Sequence, residues 1–308
     1  MLSGELDLRL CFGSWQHIGV LYHVFDPIER YWLHDLHTHS RCSDGILRPQ
    51  ALVSRAKEKG VSVLALTDHD TTVGLAEARL AAIEEGIELI NGIELSCLWN
   101  GIGIHIVGLN FDLEQSSIQD AQRHQTRSRE ERAEKIGERL AKLGIAGALE
   151  GARELSDGGV IGRPHFAQYL INKGHVSSMN AAFKRYLGAG KPGDVKQLWP
   201  DITQAVEWIV GSGGVAVVAH PDKYKMTRTK LKRLLDDFIE AGGQAMEVIS
   251  GGQAPNVTRD MSLIARQKEL YASCGSDFHV PDQPWQELGS HAPLPEDLEP
   301  VWELWSQP

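Results

Sequence analysis

Cysteine is scarce in this sequence, and long apolar runs are missing altogether. Its four cysteines, Cys11, Cys42, Cys97 and Cys274, contain no Cys-x-x-Cys pair. That excludes a zinc ribbon and a thioredoxin-like redox motif. No stretch approaches the roughly 18 to 20 apolar residues that span a bilayer, and the opening residues lack the basic start and apolar core of a secretion signal. The expectation is a cytoplasmic protein with reduced thiols and no membrane contact. Positive charge is short as well, with 31 Lys and Arg against 41 Asp and Glu, a net charge of −10. A general basic surface for gripping nucleic acid is therefore excluded. An anionic substrate remains possible where bound cations reverse the field locally. Two glycine-rich stretches fail as nucleotide motifs. Gly101-Ile102-Gly103 precedes a strand instead of following one, and Gly188-Ala189-Gly190-Lys191 runs into Pro192 where a phosphate loop needs Ser or Thr. There is no Gly-x-Ser-x-Gly elbow.

What is present is an alternation of short apolar runs with amphipathic stretches. Leu33–Thr38, Val61–Thr67, Ile87–Leu95, Ile102–Leu109, Val215–Ala219, Ala245–Ile249 and Leu270–Ser273 read as strands. Pro49–Lys59, Val73–Glu85, Ile202–Val210, Thr229–Ala241 and Val257–Glu269 read as helices, several stopped by glycine just beyond them. Strand, helix, strand with short connections predicts parallel pairing and an α/β fold. The 308 residues suit one barrel of about 250 residues with an insertion. The barrel is predicted over 31–112 and 190–308, with a helical insertion at 113–189. Within the insertion, Ser117 and Asp120 mark a helix start and Ile136, Leu140 and Leu143 an apolar stripe. Arg123, Arg127, Arg132, Lys135, Arg139 and Lys142 are expected on its solvated face. Residues 1–30 show no period and are read as an N-terminal extension, either accessory or translated from an upstream start.

The chemistry gathers where strands end. His37 and His39 share one face of the first strand, because strand side chains alternate, and Asp44 follows in a Ser43-Asp44-Gly45 turn. Thr67-Asp68-His69-Asp70 ends the second strand, Glu94 ends the third, and His105 lies on the fourth. His220 follows Val215–Ala219, and Asp277 and His279 close the last strand. The insertion adds Gly162-Arg163-Pro164-His165. In a barrel of parallel strands these ends converge on one face, where active sites sit. Imidazoles and carboxylates without thiolates suit Mn²⁺, Zn²⁺, Fe²⁺ or Mg²⁺. They are too many for a single ion, and Glu94 is well placed to bridge two. Asp68 and Asp70 are expected to orient other groups or cap helices.

These motifs, His37-x-His39, Ser43-Asp44-Gly45, Thr67-Asp68-His69-Asp70, Gly92-Ile93-Glu94, His105, Arg163-Pro164-His165, Ala219-His220-Pro221 and Ser276-Asp277-Phe278-His279, resemble those of the PHP family, named for polymerases and histidinol phosphatases. The resemblance runs from Leu33 to about Gly289. Within the family the chain is similar to stand-alone bacterial nucleoside 3′,5′-bisphosphate phosphatases and 5′-to-3′ exoribonucleases. The extension before the first His-x-His departs from that branch.

The resemblance implies a distorted (β/α)7 TIM-like barrel with a trinuclear site, manganese being the metal expected. It assigns one ion to His37, His39, Glu94 and Asp277, a second to Asp44, His69 and His279, and a third to Glu94, His105 and His165. It further implies hydrolysis of the 3′ phosphoester of a 5′-phosphorylated nucleotide, from a bisphosphate such as pAp or from short RNA. His220 is the candidate to protonate the leaving oxygen or bind the phosphoryl group. Arg163 and Arg228 are candidates to anchor the 5′-phosphate. The alternatives are a small-metabolite phosphatase, such as one for histidinol phosphate, and a catalytically silent metal-binding domain. No stable protein partner is expected.

Overall fold

Leucine, isoleucine and valine runs too short for helices supply a row of buried strands, and the amphipathic stretches between them supply the helices that cover them. The computed structural model describes residues 32–195 and 198–305; the predicted extension, residues 1–30, lies outside the described residues. The strands are β1 His34–Asp35, β2 Val63–Leu66, β3 Glu88–Trp99, β4 Ile102–Leu109, β5 Val215–Val218, β6 Ala245–Ser250 and β7 Tyr271–Gly275. They lie side by side in sequence order as one seven-stranded sheet. Backbone bonds from Leu36 N–H to the Cys274 carbonyl (3.1 Å) and from Asp277 N–H to the His37 carbonyl (2.9 Å) join the first strand to the last, curling the sheet into a nearly closed barrel. Helices α1 Pro49–Glu58, α2 Leu75–Glu85, α7 Ile202–Val210, α8 Arg228–Glu240 and α9 Pro255–Lys268 pack their apolar faces on the outside of the strands.

The pairing departs from expectation at one strand. β1 with β2, β2 with β3, β5 with β6 and β6 with β7 are parallel, but β4 is antiparallel to both β3 and β5. The cause is local. Trp99 pairs with Ile102, which leaves Asn100 and Gly101 as a two-residue turn, both with positive φ (47° and 74°). Asn-Gly is the strongest short-range hairpin signal, and no helix separates the two strands.

The barrel interior is layered. Leu36, Val63, Ala65, Ile90, Val107, Leu109, Val215, Val217 and Ala245 fill one end, where Val301 of the closing 3₁₀ turn (Val301–Leu304) joins them. The histidines and carboxylates occupy the other end, the carboxyl ends of the parallel strands.

The predicted insertion forms α3 Ser116–Ala141, α4 Ala148–Ser156, α5 Arg163–Asn172, α6 Met179–Ala182 and a π-helical turn, Phe183–Leu187. Ile118 and Ala121, early in α3, belong to the barrel's outer core. Ala133, Ile136 and Leu140 further along pack instead with Phe166, Leu170, Leu187 and Val195 in a second core. Leu143, expected in that stripe, is exposed, and Ile145 fills the place. The helix also starts one residue before Ser117, whose hydroxyl donates to the Trp208 carbonyl instead of capping. Asp70, at the end of β2 with φ 58°, moors the insertion to the barrel. It accepts from the Ser96 N–H (2.6 Å), the Gln125 amide (2.9 Å) and the Arg129 guanidinium (2.7 Å).

Candidate metal centre

The close approach of β1, β7 and the loop after β1 gives the site its tight spacing. A Cβ on Gly275 would lie 2.4 Å from the Cβ of His37, and one on Gly45 would lie 2.3 Å from the His39 carbonyl oxygen. Only glycine lets β7 lie against His37 and lets the turn fold Asp44 back towards His39. His220 (φ 28°) and Asp277 (φ 54°) hold backbone conformations that L-residues avoid. Such strain concentrates at functional sites.

Glu94 is the hub. It is fully buried, and five imidazoles surround its carboxylate. His105 Nδ1 (2.8 Å) and His220 Nε2 (3.0 Å) both face its Oε1. His37 Nε2 and His39 Nε2 (3.3 Å each) and His69 Nδ1 (3.0 Å) face its Oε2. Four sets of potential ligand atoms lie within 4.8 Å of one another: His39, Asp44, His69 and His279; His37, Glu94 and His220; His37, His39 and Asp277; and His69, Glu94 and His105. The reversed β4 explains how a residue early in its strand reaches this mouth, since His105 stands beside Ser96, two residues past Glu94.

Supporting contacts fix the rings. Glu247, in the middle of β6, accepts from His37 Nδ1 with one oxygen and from the His220 backbone N–H (2.7 Å) with the other. That leaves the His37 Nε2 lone pair pointing at the cluster. His279 Nδ1 donates to the Asp277 carbonyl (2.8 Å), so its Nε2 faces Asp44 Oδ1 at 3.2 Å. Asp68 accepts from the Ser40 and Ser43 hydroxyls, each at 2.6 Å. Asp68 and Asp70 therefore orient and brace, as expected.

Burial alone would push the Glu94 carboxyl up, but His69, His105 and His37 outweigh it and hold the group well below the usual carboxylate range. Asp44 and Asp277 are likewise held low by neighbouring imidazoles against their burial. His39 is raised to about 10: burial opposes this, and Asp277 and Glu94 prevail. The cluster thus draws in positive charge. Its polar atoms are also incompletely used. Glu94 Oε2, His39 Nδ1, His69 Nδ1 and His220 Nδ1 are buried without a hydrogen-bond partner. His69 Nδ1 and Glu94 Oε2 stand 3.0 Å apart outside hydrogen-bonding geometry, as two ligands of one ion do. No cysteine enters any of the sets among the described residues. This nitrogen-and-oxygen donor set fits hard to borderline divalent cations.

Two expected residues fall elsewhere. His165 is in none of the sets. Its Nδ1 accepts the Gly162 N–H (3.0 Å) at the start of α5, so Nε2 carries the proton when the ring is neutral. Arg228, at the start of α8, is exposed and pairs with Asp260 of α9. Arg163 does face the cluster's surroundings. With His105, Arg132, Trp199, Lys223 and Tyr224 it lines a cavity of about 330 Å³ between barrel and insertion. Its guanidinium donates to the Leu187 carbonyl (3.2 Å) and lies over the Phe183 ring.

Arg132, expected on the solvated face of α3, is buried there instead. It donates to the Val195 carbonyl (2.7 Å) and stacks over Trp199. Burial, then the nearby Arg163 and Arg129, push its guanidinium down to about 9. Sequence reasoning missed Glu247, Arg132 and Lys223, which donates to the Asp277 carboxylate. Only Glu247 left a signal, a carboxylate inside the apolar run Ala245–Ile249.

The PHP domain model matches residues 35–248 of this chain. A 5′-3′ exoribonuclease from Escherichia coli is 48% identical over 278 residues, covering 90% of this chain and 94% of that protein. A 3′,5′-nucleoside bisphosphate phosphatase from Chromobacterium violaceum is 44% identical over 269 residues, covering 87% and 94%. The crystal structure of a metal-dependent phosphoesterase from Bifidobacterium adolescentis superposes with a TM-score of 0.69 at 27% identity, covering 87% of this chain and 92% of that one.

Proposed function

The chain belongs to the PHP family and is a metal-dependent phosphoric ester hydrolase, and we propose that it cleaves the 3′ phosphoester of 5′-phosphorylated nucleotides. Its substrates would be nucleoside 3′,5′-bisphosphates and short 5′-phosphorylated RNA, the latter degraded from the 5′ end. The observation that carries this reading is the cavity beside the cluster, in which three cations, Arg132, Arg163 and Lys223, outnumber one acid, Asp194, and meet His105, itself on Glu94. A terminal phosphate held there leaves the next phosphorus for the cluster. The two activities named for the relatives in E. coli and C. violaceum then follow from one geometry. Expelling the 3′ oxygen gives a 5′-mononucleotide from the bisphosphate. From RNA it gives a 5′-mononucleotide and a strand that again begins with a 5′-phosphate.

We assign the ligands as His37, His39, Glu94 and Asp277 for one ion and Asp44, His69 and His279 for a second. For the third we assign Glu94, His105 and His220, because the last two rings meet the same carboxylate oxygen. His220 thereby moves from proton donor to ligand, and His165 from ligand to a donor towards the substrate's phosphoryl oxygens. Bound divalent ions, manganese in our reading, supply an activated water and neutralise charge on the transferred phosphoryl group. The chain's own residues do the rest: Glu247 fixes the rings, Arg132 and Arg163 orient the terminal phosphate, and α3 and α5 cover the mouth.

The test compares one RNA oligomer with a 5′-phosphate and with a 5′-hydroxyl. Loss of a charge-assisted contact costs about 1.5–3 kcal/mol, so the hydroxyl form should react roughly ten- to a hundredfold more slowly. Arg163→Ala should narrow that gap. Equal rates on both forms in the unaltered protein would refute the anchoring, and products shortening from the 3′ end would refute the polarity.

A further inference from the structure

A chain with 41 acidic residues has none between Asp157 and Asp194. That acid-free stretch holds Arg163, His165, Lys173, His175, Lys184, Arg185 and Lys191, and it folds into α5, α6 and the π-helical turn. The turn has two sides. On the inner side, Phe183 lies under the Arg163 guanidinium, the Leu187 carbonyl accepts from it, and Ala189 lines the 330 Å³ cavity. On the outer side, Lys184, Arg185 and Lys191 are exposed and with His175 line an open depression of about 550 Å³ that has no acidic residue in its wall. Among the described residues neither lysine has a carboxylate partner, and Arg185 is engaged only with the Tyr186 ring. Some exposed cations elsewhere, such as Arg153, Arg228 and Arg266, are paired with acids and others, such as Arg127 and Lys135, are exposed without an ion pair among the described residues; this face differs in having no acid along its stretch of chain. Ala189 and Lys191 are two residues apart, so at most about 7 Å of chain separates cavity wall from depression.

We infer that this outer face receives the backbone of single-stranded RNA as it leaves the cavity, downstream of the nucleotide being removed. The inference rests on the proposed exonuclease activity and adds to it a surface that a bisphosphate never reaches. Phosphates at the one-nucleotide spacing of a flexible strand meet three cations that no carboxylate neutralises among the described residues, while the chain's negative charge elsewhere repels the strand.

The experiment replaces Lys184, Arg185 and Lys191 together by Gln and compares the Mn²⁺-loaded variant with the unaltered protein. Substrates are a nucleoside 3′,5′-bisphosphate, a 5′-phosphorylated dinucleotide and a 5′-phosphorylated 10-mer. The variant should match on the bisphosphate and dinucleotide, which also shows that it folds, and lose about tenfold or more in kcat/KM on the 10-mer. Salt gives a second readout. Three phosphate contacts on a single strand give a log–log slope of about −2, or roughly a 20-fold loss between 50 and 200 mM salt; the variant should lose most of that slope. Anisotropy of a labelled 10-mer, with Ca²⁺ replacing Mn²⁺, should report the same difference in binding. A variant equal to the unaltered protein at every length and salt overturns the landing site alone. An unaltered protein inactive on RNA of every length, yet active on the bisphosphate, overturns the exonuclease reading and this inference with it.

Discussion

The barrel mouth and the inner face of the insertion both bury charge, and they settle it in opposite ways. At the mouth, Glu94, Asp44 and Asp277 are surrounded by imidazoles, and several polar atoms are left without hydrogen-bond partners. On the insertion, Arg132 and Arg163 are met by backbone carbonyls and aromatic rings. Arg129 has the Asp70 carboxylate, and that pair holds the two regions together; Asp194 lies in the wall of the cavity that Arg132 and Arg163 line. A pocket of carboxylates and imidazoles faces a wall whose cations outnumber its acids. In our reading a phosphate ester with divalent ions completes both at once.

Removing charge from the mouth should have the largest effect. Glu94→Gln keeps the shape of the hub but takes away its charge. We expect loss of at least one ion by elemental analysis and a fall in turnover on the order of a thousandfold, since a metal's charge stabilisation is worth several kcal/mol. Full occupancy with normal turnover would dissolve the contrast. Glu247→Gln tests the bracing behind the mouth. It should weaken metal binding or activity by about 10- to 100-fold, as loss of such outer partners does, while the exposed face of the insertion stays as it is.

The insertion should behave differently, trading stability against activity. Arg132→Met replaces a buried cation with an apolar chain of similar length, a change that is often neutral or stabilising. We expect the melting temperature to hold or rise, while kcat/KM on 5′-phosphorylated substrates drops about tenfold or more. A marked fall in melting temperature would show that Arg132 serves the fold and not the substrate.

The smallest effect comes from an ordinary ion pair outside both regions. Arg55 of α1 bonds Glu287 (2.5 Å) and holds its carboxyl at about 2. A carboxyl depressed in the folded state contributes stability above its unfolded value of about 4.3, and that contribution fades as the pH falls towards 2. The stability gap between the unaltered protein and Glu287→Gln should therefore be constant above pH 5 and shrink steadily below it. A gap undiminished at pH 3 would mean the pair acts by packing.

Most of this architecture was legible because periodicity reports burial. The seven strands and the barrel helices fall within a few residues of the apolar runs that foretold them, and most of the His, Asp and Glu singled out at strand ends lie together at one mouth. Three things escaped for identifiable reasons. The direction of β4 is written in Asn100-Gly101, whose hairpin signal prevails over strand–helix alternation where no helix intervenes. The tie between His165 and the start of α5 turns on a backbone hydrogen bond at Gly162, which no spacing reveals. Arg132 looked solvated because its neighbours Arg127 and Lys135 are exposed; which side of a basic helix faces a cavity depends on the partner surface, and that surface is distant in sequence.

The Asn100-Gly101 turn also orders events in time. Glu94 and His105 are 11 residues apart, so a hairpin that forms on a microsecond scale brings them together. Glu94 and His220 are 126 residues apart, and His37 and Glu247 are 210 apart. Closing the longest of these loops costs roughly 2–3 kcal/mol more in chain entropy than closing the hairpin. Of the five imidazoles on Glu94 one, His105, is thus local, while the contacts of His220 and of Glu247 wait for distant strands. Tight metal uptake during refolding should lag the gain of secondary structure and coincide with the arrival of β6 and β7, making the ion a clock for barrel closure.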